Sequence, residues 1–161
     1  MPLAHKGWHS RGYLPHFDVP CVIQFITFRL ADSLPASAQL QRELEGLPER
    51  PGVRLEHIDT LLDAGLGSCI LRDPGAARIV EDALLHFDGT RYRLLAWVVM
   101  PNHVHVVIEV LAGHSLSRTV QSWKRFSARA CNQLLDRRGR LWEPDYFDRR
   151  VRTEEHLHNV I

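Results

Sequence analysis

Hydrophobic and polar positions alternate most cleanly between His103 and Val110. Val104, Val106, Ile108 and Val110 share one parity, and His103, His105, Val107 and Glu109 share the other. A period of two marks a strand with one face in a core, here the valine and isoleucine face, and leaves the histidine face open. Tyr92 to Met100 also reads as a strand. With only Pro101-Asn102 between them, the two predict an antiparallel hairpin. Cys21 to Leu30 is rich in β-branched and aromatic residues and predicts a largely buried strand, broken by Asp32-Ser33-Leu34-Pro35.

Helical spacing appears elsewhere. Ala36 to Leu47 predicts a helix that stops before Pro48, Pro51 and Gly52, and His57 to Ala64 predicts a short one ended by Gly65 and Gly67. Asp73-Pro74 is a helix start, with Asp as cap and Pro in the first turn. The helix should run to about Phe87 and bury Val80, Ala83, Leu84 and Phe87. Ser115 to Leu135 predicts a long helix with Leu116, Val120, Trp123, Ala130 and Leu134 on one stripe and Arg118, Arg125 and Arg129 on another. Residues 1–20, polar and rich in His, Pro and Gly, read as an irregular arm. After Trp142 the pattern is weak until Thr153-Glu154-Glu155 opens a last helix. No repeat or linker divides the 161 residues, so a single domain is expected. A hairpin with helices inserted between strands of one sheet is an α+β pattern rather than a doubly wound one.

Charge refines this picture more than composition does. Hydrophobic residues make up 45% and charged residues 24%, as in ordinary globular chains. No apolar run approaches the roughly 18–20 residues a membrane span needs, and the first residues lack the apolar core of a signal peptide. A cytoplasmic protein without membrane contact is expected. Cys21, Cys69 and Cys131 are odd in number and far apart, which predicts buried free thiols rather than a disulfide framework or zinc knuckle. The net charge is only +1, but it is polarised. Ser115 to Arg152 holds ten basic residues against four acidic ones, and Ala36 to Thr90 holds ten acidic against five basic. Such a chain can meet phosphates on one side while remaining near neutral. Eighteen arginines to two lysines suit bidentate phosphate contacts, although GC-rich codon usage explains the ratio equally well.

His103 and His105, one strand step apart on one face, can share a metal ion through imidazole nitrogens, or be two surface histidines of a half-exposed sheet. A histidine-triad nucleotide hydrolase would place a third histidine where this chain has Val107.

Met100-Pro101-Asn102-His103-Val104-His105 resembles the HUH motif of insertion-sequence transposases and REP-associated tyrosine transposases. Other segments resemble the same family in order: Arg11-Gly12-Tyr13-Leu14-Pro15-His16 and Thr27 to Pro35 its opening, and Leu116-Ser117-Arg118 with Ser122 to Arg129 its next helix. Leu141 to Arg149, then Arg152, Glu154, Glu155 and His156, resemble the approach to its catalytic helix. The resemblance implies a ferredoxin-like antiparallel sheet with helices packed on one face and the HUH pair on a central strand. It implies His103 and His105 as ligands of Mg²⁺ or Mn²⁺. It further implies nicking and rejoining of single-stranded or hairpin (REP-like) DNA through a 5′-phosphotyrosine link, without ATP. A homodimer is compatible with it, though no residue speaks for one.

The resemblance also puts the nucleophilic tyrosine on the final helix, about two residues past Ile161, so the catalytic helix is expected to be cut off at 161. Tyr13, Tyr92 and Tyr146 do not occupy that place, and no catalytic residue is assigned within the chain. His156 and His158 stand two apart on a helix and share no face. Arg118, Lys124, Arg125 and Arg129, with Arg11 in the arm, are expected to contact phosphates. Trp142 and Tyr146 are candidates to stack on unpaired bases, or else ordinary core aromatics. Two functions follow: a metal-dependent DNA nicking and joining transposase, or a catalytically inactive hairpin-DNA-binding derivative.

Overall fold

The computed structural model describes residues 7–10, 15–48 and 52–160. β3 (Ile23–Arg29), β4 (Tyr92–Val99), β5 (His103–Val110) and β6 (Phe147–Arg150) form one antiparallel sheet in the order β4-β5-β3-β6. β3 and β5 are therefore central, in a register that sets Thr27 opposite His105 and Arg29 opposite His103. The hairpin between β4 and β5 forms as the alternation requires, with a register shift between Leu94 and Ala96.

One face of the sheet is a conventional core. Ile26, Phe28, Val104, Val106, Ile108 and Val110 are buried there. α3 (Pro74–Leu85) and α4 (Leu116–Leu134) cover them. The expected cap at Asp73 forms, accepting from the Ala76 amide at 2.9 Å, and Ser115 caps α4 by accepting from the amide of Arg118. Phe28 lies between Trp123 and Trp142, at ring-centroid distances of 6.1 and 4.8 Å. The indole N–H of Trp123 donates to the Tyr92 hydroxyl, which donates to the Leu84 carbonyl, so α4, β4 and α3 are joined by one buried chain of hydrogen bonds.

The structure adds a layer to the expectation of helices on one face. α1 (Ser37–Glu45) and α2 (Val53–Asp63) pack with Leu34 and Phe147 into a second small core. The C-terminal end of α2 comes to rest at the histidine face. α2 begins at Val53, four residues before its apolar pattern suggested, because Gly52 at φ +91° turns the chain directly into the helix. After α2 the loop closes on the Asp32 turn. A side chain at Gly67 would lie 2.4 Å from the Asp32 carbonyl oxygen, so only glycine fits.

Several expectations need correction: Cys21, expected to be buried like Cys69 and Cys131, is exposed. The segment read as an irregular arm contains β1 (Gly7–Ser10) and β2 (Pro15–Asp18), a two-stranded antiparallel sheet. It is anchored by tertiary contacts rather than local propensity. His16 is fully buried, with Nδ1 2.5 Å from Asp148 and Nε2 2.9 Å from Asp145, and Gln24 donates to the Phe17 carbonyl. β6 was not legible because it is four residues long and mostly charged. Leu134 is not on the core stripe of α4. Ser127 and Cys131 continue that stripe, and Leu134 is half exposed. No helix among the described residues is long and apolar enough to cross a membrane.

Candidate metal centre and nucleic-acid interface

The histidine face is as tightly covered at its centre as the apolar face. His103 is 1% exposed, with Thr27, Arg29 and Val107 also buried around it, which corrects the expectation of an open strand face. The side chains of Thr27, Asn102, His103 and His105 are partnered there, as burial demands, whereas the buried Nε of Arg149 has no hydrogen-bond partner among the described residues. The Nε2 atoms of His103 and His105 stand 3.0 Å apart, and each ring is fixed from behind. His103 Nδ1 lies 2.8 Å from Asn102 Oδ1, and His105 Nδ1 lies 2.8 Å from Thr27 Oγ1. Phe25 stacks on the His105 ring at 5.2 Å.

Hydrogen-bond logic fixes the tautomer of His103. Asn102 Nδ2 donates to the carbonyls of Leu62 and Leu66, both at 3.1 Å, so its amide oxygen is the atom that faces His103. His103 Nδ1 must then carry the proton, which leaves a lone pair on Nε2. Thr27 can accept from or donate to His105 Nδ1, so His105 can present either a proton or a lone pair at Nε2. Burial pushes the His103 pKa down against the opposing charge of Asp63. Burial, then the neighbouring His103, pushes His105 down to about 4. Both shifts favour the neutral form of the rings. Two neutral imidazoles with converging Nε2 atoms and Nδ1 atoms held by oxygen are the arrangement that metal-binding histidines adopt. The residues fit a divalent cation. Among the described residues, no group of three or more His, Cys, Asp or Glu forms a complete metal cluster.

Beside the pair lies a cavity of about 220 Å³ whose lining includes Phe25, Thr27, Asp59, Phe147 and Arg149. The Arg149 guanidinium sits 5.6 Å from the centre of the Phe25 ring. Burial, and then the charge of Asp63, raise the Asp59 pKa to about 6, against the opposing charge of Arg149. Thr27, Asn102, Asp63 and Arg149 were not singled out from sequence as parts of the centre. Asn102 left a trace as the residue before His103 in the motif, Thr27 and Arg149 only as end residues of two other family-like segments, and Asp63 none.

The expected nucleic-acid contacts divide. Arg118, Arg125 and Arg129 are exposed on α4 and share a shallow groove with Gln121, Ser122 and the exposed ring of Phe126. None of the three makes an ion pair among the described residues. α4 covers the apolar face, so this surface lies across the sheet from His103 and His105. Lys124 is committed elsewhere: its ammonium donates to the carbonyls of Glu143, Pro144 and Asp145. Trp142 and Tyr146 are each 4% exposed, which corrects their candidacy for stacking on bases. The Trp142 indole donates to Ser127, and Tyr146 packs on His16 at 4.7 Å. Arg11 lies outside the described residues. His156 and His158, on α5 (Glu154–Val160), join no metal cluster among the described residues.

The model of the family described as "Transposase IS200 like" matches residues 79–160, half of the chain, from α3 through the histidine strand to α5. The chain belongs to the IS200-like transposase family. Its fold is shared with a REP-associated tyrosine transposase solved bound to a REP hairpin, at a TM-score of 0.56 and 18% identity. The alignment covers 90% of this IS200-like chain and 66% of that one. A protein assigned as a transposase in Deinococcus radiodurans R1 aligns at a TM-score of 0.44 and 17% identity, over 94% of this chain and 89% of its own. No curated protein sequence matches.

Proposed function

We propose that this family member acts on single-stranded DNA beside a hairpin, as a REP-associated tyrosine transposase does, with His103 and His105 holding Mg²⁺ or Mn²⁺. The observation that carries the reading is the convergence of the two Nε2 atoms at 3.0 Å, with both Nδ1 atoms anchored on oxygen. A cation held there supplies charge neutralisation to a phosphodiester. The protein's own part is to fix the two rings, exclude water with the Val107 and Phe25 side chains, and offer Arg149 in the adjoining cavity as a cationic partner for DNA. The exposed arginines of α4 contribute a second phosphate-binding surface, suited to duplex stem rather than to the reacting strand, because the sheet separates it from the histidines.

In the nicking and joining reaction a tyrosine hydroxyl attacks the phosphate, loses its proton and breaks the P–O3′ bond, so that a 3′-hydroxyl leaves and the tyrosine stays on the 5′ phosphate; attack by a 3′-hydroxyl on that phosphotyrosine rejoins DNA and releases the tyrosine. Neither described tyrosine is placed for this. Tyr92 is consumed in the core by Leu84 and Trp123, and Tyr146 is buried against His16 on the far side of the sheet. That observation keeps the second reading, a hairpin-binding module without chemistry, beside the first. One experiment separates them. A labelled hairpin carrying a single-stranded 5′ extension is incubated with the protein and Mn²⁺, then resolved under native and denaturing conditions. Retardation on both gels shows covalent nicking, and retardation on the native gel alone shows binding only. Equal affinity for a blunt duplex of the same length would overturn both.

A further inference from the structure

The sheet face that carries the histidines continues past them to β6. Val107, Phe25 and Arg149 stand opposite one another in one row across β5, β3 and β6, and His105, Thr27 and Phe147 form another. The cavity of about 220 Å³ opens over these rows, and α2 closes it with Leu55, Glu56 and Asp59. Thr27 is both a wall of the cavity and the partner of His105, so the cavity abuts the histidine pair. Its one cationic group is unsatisfied: the buried Nε of Arg149 has no hydrogen-bond partner among the described residues. Asp59 feels the charge of Arg149, yet no ion pair joins the two among the described residues. A buried donor without a partner is costly and calls for something to fill the space before it.

A phosphate would satisfy Arg149 but would share the cavity with the carboxylates of Asp59 and Glu56, which repel it. A nucleobase meets both signs, with acceptors for the guanidinium and N–H donors for a carboxylate. Phe25, Leu55 and Phe147 give its ring apolar walls. We propose that this cavity takes one unpaired guanine from the strand whose phosphate lies at His103 and His105, with Arg149 donating to O6 and N7 and Asp59 accepting from N1–H and the N2 amine. The inference rests on the single-stranded DNA reading above and adds to it the base that is read. Guanine is the base whose edges match the two residues. Its O6 and N7 are neighbouring acceptors, as the fork of an arginine requires, whereas adenine sets a donor beside N7. Its N1–H and N2 amine are neighbouring donors, as the two oxygens of a carboxylate require. Arg149 and Asp59 would thus determine which base is held beside the histidine pair, without touching the reacting phosphate.

The test walks a single guanine along the thymine-only single-stranded extension of a labelled hairpin and reads affinity by fluorescence anisotropy in Mg²⁺. At one position guanine should bind roughly tenfold more tightly than thymine. Hypoxanthine, which lacks the N2 amine, and 7-deazaguanine, which lacks N7, should each lose part of that gain at the same position. The two losses should separate by residue. Asp59→Asn should no longer distinguish hypoxanthine from guanine, and Arg149→Lys should no longer distinguish 7-deazaguanine from guanine, each with an unchanged thermal melt. Should a variant fail to fold, the analogues decide on the unchanged protein, where a preference blind to both overturns the proposal. Hairpin binding without a guanine-dependent position, or a preference that both variants keep in full, also overturns it and leaves the single-strand reading standing. Affinity no greater than for a blunt duplex of the same length removes that reading and the proposal together.

Discussion

The two faces of β3 and β5 are buried to a similar degree and built on opposite principles. On one, Ile26, Phe28, Val104 and Val106 belong to an apolar cluster with residues of α3 and α4. On the other, Thr27, His103 and Asn102 are as deeply buried, and each polar group has a specific partner. Burying apolar surface is favourable wherever it occurs, whereas a buried imidazole is tolerable only when its nitrogens are satisfied. The first face therefore accounts for stability and the second for a site, and substitutions should divide along that line.

The largest effect on folding is expected on the apolar face. Trp123→Ala removes the side chain that joins α4 to Phe28 and Tyr92 and should cost about 3–5 kcal/mol in urea unfolding. A smaller loss would mean that the α3–α4 layer contributes less than its burial implies.

His16 extends the comparison to the edge of the sheet, where a buried charge is held by two carboxylates. Burial alone would lower its pKa, but hydrogen bonds to Asp145 and Asp148 outweigh this and raise it to about 9. Its folded pKa thus lies above the unfolded value near 6.5. The stabilisation is full below about pH 6.5 and is lost as pH rises through 9. His16→Gln should cost about 3 kcal/mol near pH 6. The gap between the two proteins should narrow towards pH 10, as read from unfolding curves at a series of pH values. A gap independent of pH would show that His16 is uncharged.

Asn102→Ala tests the polar face, removing the partner of His103 Nδ1 and one donor each to the carbonyls of Leu62 in α2 and Leu66 beyond it. It should cost about 1–3 kcal/mol and weaken Mn²⁺ binding, which Trp123→Ala should not do beyond its effect on folding. The smallest effect on stability, within about 0.5 kcal/mol, is expected for Arg118→Gln, Arg125→Gln and Arg129→Gln on the exposed side of α4. Each should instead lower the salt dependence of hairpin-DNA binding by about one counterion. An unchanged slope would remove that residue from the DNA surface.

The sequence revealed some parts of this architecture because their causes are local. The alternation of β5, the cap at Asp73 and the arginine stripe of α4 each rest on neighbours within a few positions. The parity of His103 and His105 was equally plain, but the covering of their face was not, because α2 reaches it from forty residues away through Asn102. β1 and β2 escaped notice for the same reason: their anchor is a pair of carboxylates more than a hundred residues distant. Trp142 and Tyr146 carry the chemistry of base stacking, but their burial follows from Phe28, Ser127 and His16, contacts that no spacing rule reports.

The most direct test of the central claim is a crystal of the protein soaked in Mn²⁺ and measured for anomalous scattering. A peak bound by Nε2 of both His103 and His105, with Thr27 and Asn102 still behind the two rings, is the predicted result. A peak bound elsewhere, or none at the pair when Mn²⁺ occupies other sites, would contradict it.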